Sequence, residues 1–100
     1  MSPSATAAAT IHDQTLIRRN SSLLIAAVHD ETVMMNIESG RYYGLDEIGS
    51  DIWRRLESPM AFTDLIDRLA ADYFAERDLI ADDTRKLLAL MAEHEVVTLE

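Results

Sequence analysis

Carboxylates are the most abundant chemistry-bearing groups of this chain: 18 Asp and Glu stand against 9 Lys and Arg, a formal net charge of −9. Two carboxylates held at a fixed separation can serve as general acid and general base. Asp64, Asp67, Asp72, Glu76, Asp78, Asp82, Asp83 and Glu93, however, fall at helix starts or on polar helix faces. There a carboxylate stabilises the helix dipole and keeps the surface solvated, which accounts for them without catalysis. His12, His29 and His94 are far apart and form no i, i+4 pair, so a metal site is not expected. Cysteine is absent, which excludes a disulfide framework, a thiolate zinc site and a cysteine nucleophile together. The three glycines fit none of the Walker, Rossmann or nucleophile-elbow spacings. The expectation is a binding protein with no catalytic residue, no metal and no cofactor.

The charge also bears on partners. A field of this sign repels phosphate and favours cationic or neutral peptides, which disfavours nucleic acid. No stretch approaches the roughly 18 apolar residues of a membrane span, so no membrane partner is expected. Met1 to Thr10 lacks the basic start and apolar run of a signal peptide, so the expected compartment is the cytoplasm. Met34, Met35, Met60 and Met91 suit either an adaptable peptide-binding surface or the filling of core gaps.

These residues must be positioned by a single domain, because 100 residues leave too few side chains for a second core. Residues 1–10 are small and uncharged and are expected to form a disordered tail ahead of a domain over 11–100. From Leu23 to Leu45, β-branched, aromatic and aliphatic residues are broken by His29-Asp30-Glu31 and Glu38-Ser39-Gly40, which predicts a three-stranded antiparallel meander. Val33, Met35 and Ile37 alternate with Thr32, Met34 and Asn36, the period of a sheet with one buried face. A three-residue loop with Gly40 left-handed would set Ile37 opposite Arg41, Met35 opposite Tyr43 and Val33 opposite Leu45. That register turns Tyr43 and Leu45 inward and leaves Met34 outside with Thr32, Asn36 and Tyr42. Leu16 to Arg19 is too short to assign as a strand from its pattern alone.

After Leu45 the apolar period changes to 3.6. Asp46 is placed to cap a first helix whose stripe is Ile48, Ile52, Trp53 and Leu56, with Gly49 implying a close approach of another backbone. Ser58-Pro59 ends it. Phe62, Leu65, Ile66, Leu69 and Tyr73 define a second helix, with Asp64, Asp67, Arg68 and Asp72 on its far side. Asp82 or Asp83 is expected to cap a third helix with Thr84, Leu87, Leu88 and Met91 inside, ending near Glu95. Val96 to Leu99 forms a last strand or an apolar plug. The expected class is α+β, a meander followed by a three-helix bundle, winged-helix-like. A DNA-reading winged helix is the alternative from another class; its third helix would carry only Arg85 and Lys86 against Asp82, Asp83, Glu93 and Glu95.

The run Gly40-Arg41-Tyr42-Tyr43-Gly44-Leu45-Asp46-Glu47-Ile48-Gly49 followed by Ile52-Trp53 resembles the PqqD-like family, whose pattern is a glycine turn, "RYYGLN", a small residue and "IW". Phe62-Thr63-Asp64-Leu65-Ile66 with Leu69 and Tyr73 is similar to its second-helix signature, and Leu87-Leu88 with Met91 and Val96-Val97 to its closing segment. Asp46 stands where the family often has Asn, and Glu95 where it often has Gly. The resemblance implies a peptide-recognition element. In it, the leader segment of a ribosomally made precursor adds as an extra strand beside the third strand, against the third helix. It implies Arg41, Tyr42, Tyr43 and Gly44 as the edge, and Lys86, Leu87, Leu90 and His94 as the helical wall. Tyr43 and Leu87 fit an ordinary core role equally well, and Lys86 fits an acid-binding contact or a solvated cation. The implied partners are a leader peptide and a leader peptidase or modifying enzyme of lasso-peptide type. The alternative within the family is an accessory peptide chaperone of a PQQ-like cofactor pathway.

Overall fold

The structure, a computed structural model, describes residues 11–29 and 31–100. The expected tail, and Asp30 of the first turn, lie outside the described residues. Strands β2 (Leu23–Val28), β3 (Glu31–Asn36) and β4 (Arg41–Leu45) form the antiparallel meander in the order β2-β3-β4. Three helices follow, α1 (Glu47–Arg55), α2 (Phe62–Tyr73) and α3 (Arg77–Glu93). A second small sheet ties the ends together: β1 (Leu16–Arg19) pairs antiparallel with both β5 (Met60–Ala61) and β6 (Val97–Leu99), in the order β5-β1-β6. Leu16 to Arg19 is therefore a strand, and Val97 to Leu99 a strand rather than a plug. The architecture is α+β, as expected.

The meander's register differs from the expected one by a residue. Asn36 pairs with Arg41, Met34 with Tyr43 and Thr32 with Leu45. The cause is a four-residue loop: Ile37 belongs to the turn, the Gly40 amide donates to the Asn36 carbonyl at 2.8 Å, and the Asn36 side chain accepts from the Glu38 and Ser39 amides. Gly40 is left-handed, as the turn requires. Because side chains alternate, a one-residue slip exchanges the faces of a strand. Thr32, Met34 and Asn36 are buried, and Val33 and Met35 share the outer face with Tyr42. The expectation that Met34 faces outward is thus corrected, whereas the inward Tyr43 and Leu45 and the outward Tyr42 stand.

Asp46 caps α1, its carboxylate accepting from the Gly49 amide at 2.8 Å. A Cβ on Gly49 would come within 3.3 Å of the Asp46 carboxylate and of the Leu45 side chain, so side-chain atoms crowd it rather than a second backbone. Ile48 is exposed; the buried face of α1 is Gly49, Ser50, Ile52 and Trp53. In α2, Phe62, Leu65, Ile66 and Leu69 are buried, while Tyr73 reaches the surface and donates its hydroxyl to Asp51. Helix α3 begins at Arg77 rather than at an Asp82 or Asp83 cap. Buried Ala81 extends the Thr84, Leu88 and Met91 stripe back by a turn, and Arg77 is tied to Asp67 and Thr63 of α2, at 2.8 and 2.9 Å. Asp82 and Asp83 are exposed interior positions of the helix.

Helix α3 ends in a Schellman arrangement. The Val96 amide donates to Met91 O at 2.8 Å and the Glu95 amide to Ala92 O at 3.1 Å, with Glu95 left-handed at φ 62°. The core gathers Ile17, Met34 and Leu45 from the strands, Ile52, Trp53 and Leu56 from α1 and its cap, Leu65 and Ile66 from α2, and Leu88 and Met91 from α3.

Candidate functional site

Strand β4 has β3 on one side and, among the described residues, no strand on the other. Its orientation is fixed from behind by Ser50, fully buried at the start of α1. The Ser50 hydroxyl accepts from the Thr32 amide at 2.9 Å and donates to the Leu45 carbonyl at 3.0 Å. The Thr32 amide and the Asn36 carbonyl are thus aimed at the β4 side of β3. By the alternation of an antiparallel ladder, the backbone groups of Arg41, Tyr43 and Leu45 face β3 while those of Tyr42 and Gly44 point away from it. A Cβ built on Gly44 meets nothing within 4 Å, so the outer face of the sheet is open next to this edge.

Helix α3 stands across from the edge. Between them runs a cleft of about 420 Å³ lined by Tyr42, Tyr43, Gly44 and Leu45 of β4 and by Leu87, Leu90, Met91 and His94 of α3 and its cap, with Asp46, Gly49 and Val96 completing it. Leu90 is 46% exposed there, an apolar side chain without a full core position. The Tyr43 and His94 rings lie with centroids 5.0 Å apart and planes tilted by 37°, joining strand to helix. Beyond His94 a smaller hollow of about 270 Å³ is bordered by Arg41, Asn36, Ser39, Glu93 and Glu95. In the other direction the cleft meets a cavity of about 510 Å³ between the three helices, which shares Asp46 and Leu87 with it and is lined by Ile48, Ile52, Leu69, Tyr73 and Ile80.

Beside that cavity, Arg55 bridges α1 and α2, contacting Asp51 at 3.1 Å and Asp72 at 2.7 Å. Burial pushes the Asp51 carboxyl up, but the hydrogen bonds from Tyr73 and Arg55 outweigh it and hold it below its ordinary value. The hydrogen bond to Asp51 in turn raises the Tyr73 hydroxyl. This network ties α1 to α2, the helix that packs against α3.

Of the residues singled out in the sequence, Tyr42, Tyr43, Gly44, Leu87, Leu90 and His94 come together in the one cleft, and Arg41 borders its polar extension. Lys86 stands exposed on α3 one turn before Leu90 and lines none of these three cavities. Leu45, Met91 and Val96 also line the cleft. They were missed because their apolar patterns mark them only as core. Ser50 was missed too, since a serine near a helix start reads as a solvated polar residue until its buried bonds are seen.

The family model for PqqD, coenzyme PQQ synthesis protein D, matches residues 31–97, about two thirds of the chain. Among solved structures the chain is similar to one described as TbiB1 in complex with the TbiA(beta) leader peptide, with 30% sequence identity, a TM-score of 0.73, and coverage of 80% of this chain and 93% of that one. No curated protein matches.

Proposed function

The chain belongs to the PqqD family, and on that premise we propose that it is a non-catalytic adaptor that captures the leader segment of a ribosomally synthesised precursor peptide by strand addition to β4. The observation that carries this is the open β4 edge beside an apolar helical wall, in a fold it shares with a protein solved with a leader peptide in place. The Tyr42 and Gly44 backbone groups supply hydrogen-bond partners to the incoming strand. Alternate side chains of the leader then enter the cleft against Leu87, Leu90 and Met91, where the alternation of the strand selects which leader positions are read. Arg41 offers a cation at one end. The lining is dominated by apolar and aromatic groups, a composition suited to holding a chain rather than activating water. The bound leader is presented to a leader peptidase or modifying enzyme of lasso-peptide type, which performs the chemistry.

The test is a calorimetric titration with synthetic leader peptides from precursor genes neighbouring this one, against the matching core peptides. Binding at micromolar dissociation constants or tighter, about −8 kcal/mol, is expected for a leader and not for the cores. Failure of every leader to bind refutes the proposal.

A further inference from the structure

The side of the sheet turned away from the helices is apolar except at its Glu31 rim. Direct pairing sets Leu24, Met35 and Tyr42 in one row across β2, β3 and β4, and Ala26, Val33 and Gly44 in the next. Leu24 and Tyr42 are 53% and 71% exposed, and Val28 beyond them 52%. No charge interrupts the two rows; Glu31, opposite Val28, stands at their rim. Monomeric proteins seldom leave a continuous apolar face of this kind to water.

We propose that this outer face is where the leader-consuming enzyme docks, on a surface that the bound leader completes. The inference rests on strand addition at β4. A strand laid beside Tyr42 and Gly44 must place half of its side chains in the cleft and the other half on the outer face, extending both rows by one position. The platform then reads Leu24–Met35–Tyr42–leader and Ala26–Val33–Gly44–leader. Gly44 contributes no side chain and leaves a hollow at the junction that the leader's outward side chain can share. An enzyme seated there touches adaptor and leader together and so distinguishes the loaded adaptor from the empty one.

The charge of the chain selects this occupant over the others. Two copies at −9 repel as they approach, which opposes self-association, and an anionic lipid surface is repelled in the same way. A different protein, neutral or basic, with an apolar patch of its own, meets no such barrier.

The probe is the purified leader peptidase encoded beside this chain, presented to the adaptor with and without a synthetic leader. The variant is Leu24→Lys with Val28→Lys; both residues sit on β2, away from the leader edge. Leader affinity should stay within about twofold, and capture of the enzyme by the loaded adaptor should fall by about tenfold or more. Wild-type adaptor should capture the enzyme better with leader than without. Circular dichroism checks folding, and Leu24→Lys alone serves if the double variant melts early. Equal capture by wild type and variant overturns the proposal. So does a wild-type dimer in ultracentrifugation that the variant abolishes, because the face then belongs to a second copy. A wild-type adaptor that binds no leader is read in a separate arm and refutes strand addition itself.

Discussion

Truncating Leu90 isolates the helical wall from the rest of the fold. Its side chain is 46% exposed in the cleft. Complete burial of a leucine is worth about 1.5–3 kcal/mol, so covering the remaining surface with a leader side chain contributes about 0.7–1.4 kcal/mol. Leu90→Ala forfeits most of that, a weakening of about three- to tenfold in dissociation constant. Leu90→Asp adds the desolvation of a carboxylate facing an apolar ligand, and its loss should exceed about tenfold. Neither change removes a core contact. Alanine improves helix propensity, and its effect on stability should stay within about 0.5 kcal/mol; aspartate in the last turn opposes the helix dipole and should cost up to about 1 kcal/mol. Leader titrations of both variants by calorimetry, alongside thermal melts, provide the check. Folded Leu90→Ala and Leu90→Asp proteins that bind the leader as tightly as wild type would refute the placement of the leader against α3.

Further predictions concern how the cleft is held. Ser50→Ala leaves the Thr32 amide and the Leu45 carbonyl without the hydroxyl that joins them, and should cost about 1–3 kcal/mol in chemical denaturation while also loosening β4. Glu95→Gly relieves a left-handed residue in the Schellman cap but gives up the contact with the Asn36 amide, and should stabilise by at most about 1 kcal/mol, a rise of no more than about 4–8 °C in melting temperature. Asp51 is held below its ordinary pKa, so its contribution is fully present above the ordinary carboxylate range and is lost as pH falls through the lowered value. The Tyr73 hydroxyl is raised, so its contribution is present below its ordinary value and lost as pH climbs through the raised one. Tyr73→Phe removes the shared hydrogen bond; acid unfolding should begin at higher pH, with a loss of about 0.5 kcal/mol near neutrality because the pair is partly solvated.

What was legible in the sequence is what local patterning controls. The 3.6-residue period of Phe62, Leu65, Ile66 and Leu69 and the capping chemistry of Asp46 specify α2 and the start of α1 without reference to the rest of the chain. The start of α3 was hidden because it depends on tertiary partners. Glu76 supplies no side-chain cap, and the first turn is held by the reach of Arg77 to Asp67 and Thr63 on another helix. The short strands β1, β5 and β6 exist through one another, from the two ends and the middle of the chain, so no window of sequence contains their cause. Glu95 is the opposite case: a position where the family often has glycine turns out to be left-handed, and the cap forms with a glutamate there.

The meander's register shows how one local choice propagates to the surface. The sequence pattern carries the strand on to Ile37, whereas β3 ends at Asn36, whose side chain starts the turn by accepting two amides ahead of it, a role in which asparagine is favoured. Moving the turn back by one residue places Thr32, Met34 and Asn36 inside, where Thr32 meets Ser50 and the Asn36 side-chain amide reaches the Glu95 carboxylate. The exchange leaves Val33 and Met35 outside. With the expected register the outer face would have alternated Thr32, Met34 and Asn36, a mixed surface that water covers well. With the observed one it is apolar from Leu24 to Tyr42, and the edge that can accept a peptide borders a platform that can accept a protein. The same pairing that aims the Tyr42 and Gly44 backbones outward therefore also determines what the added strand lies flush with, so capture of a peptide and its presentation follow from a single register.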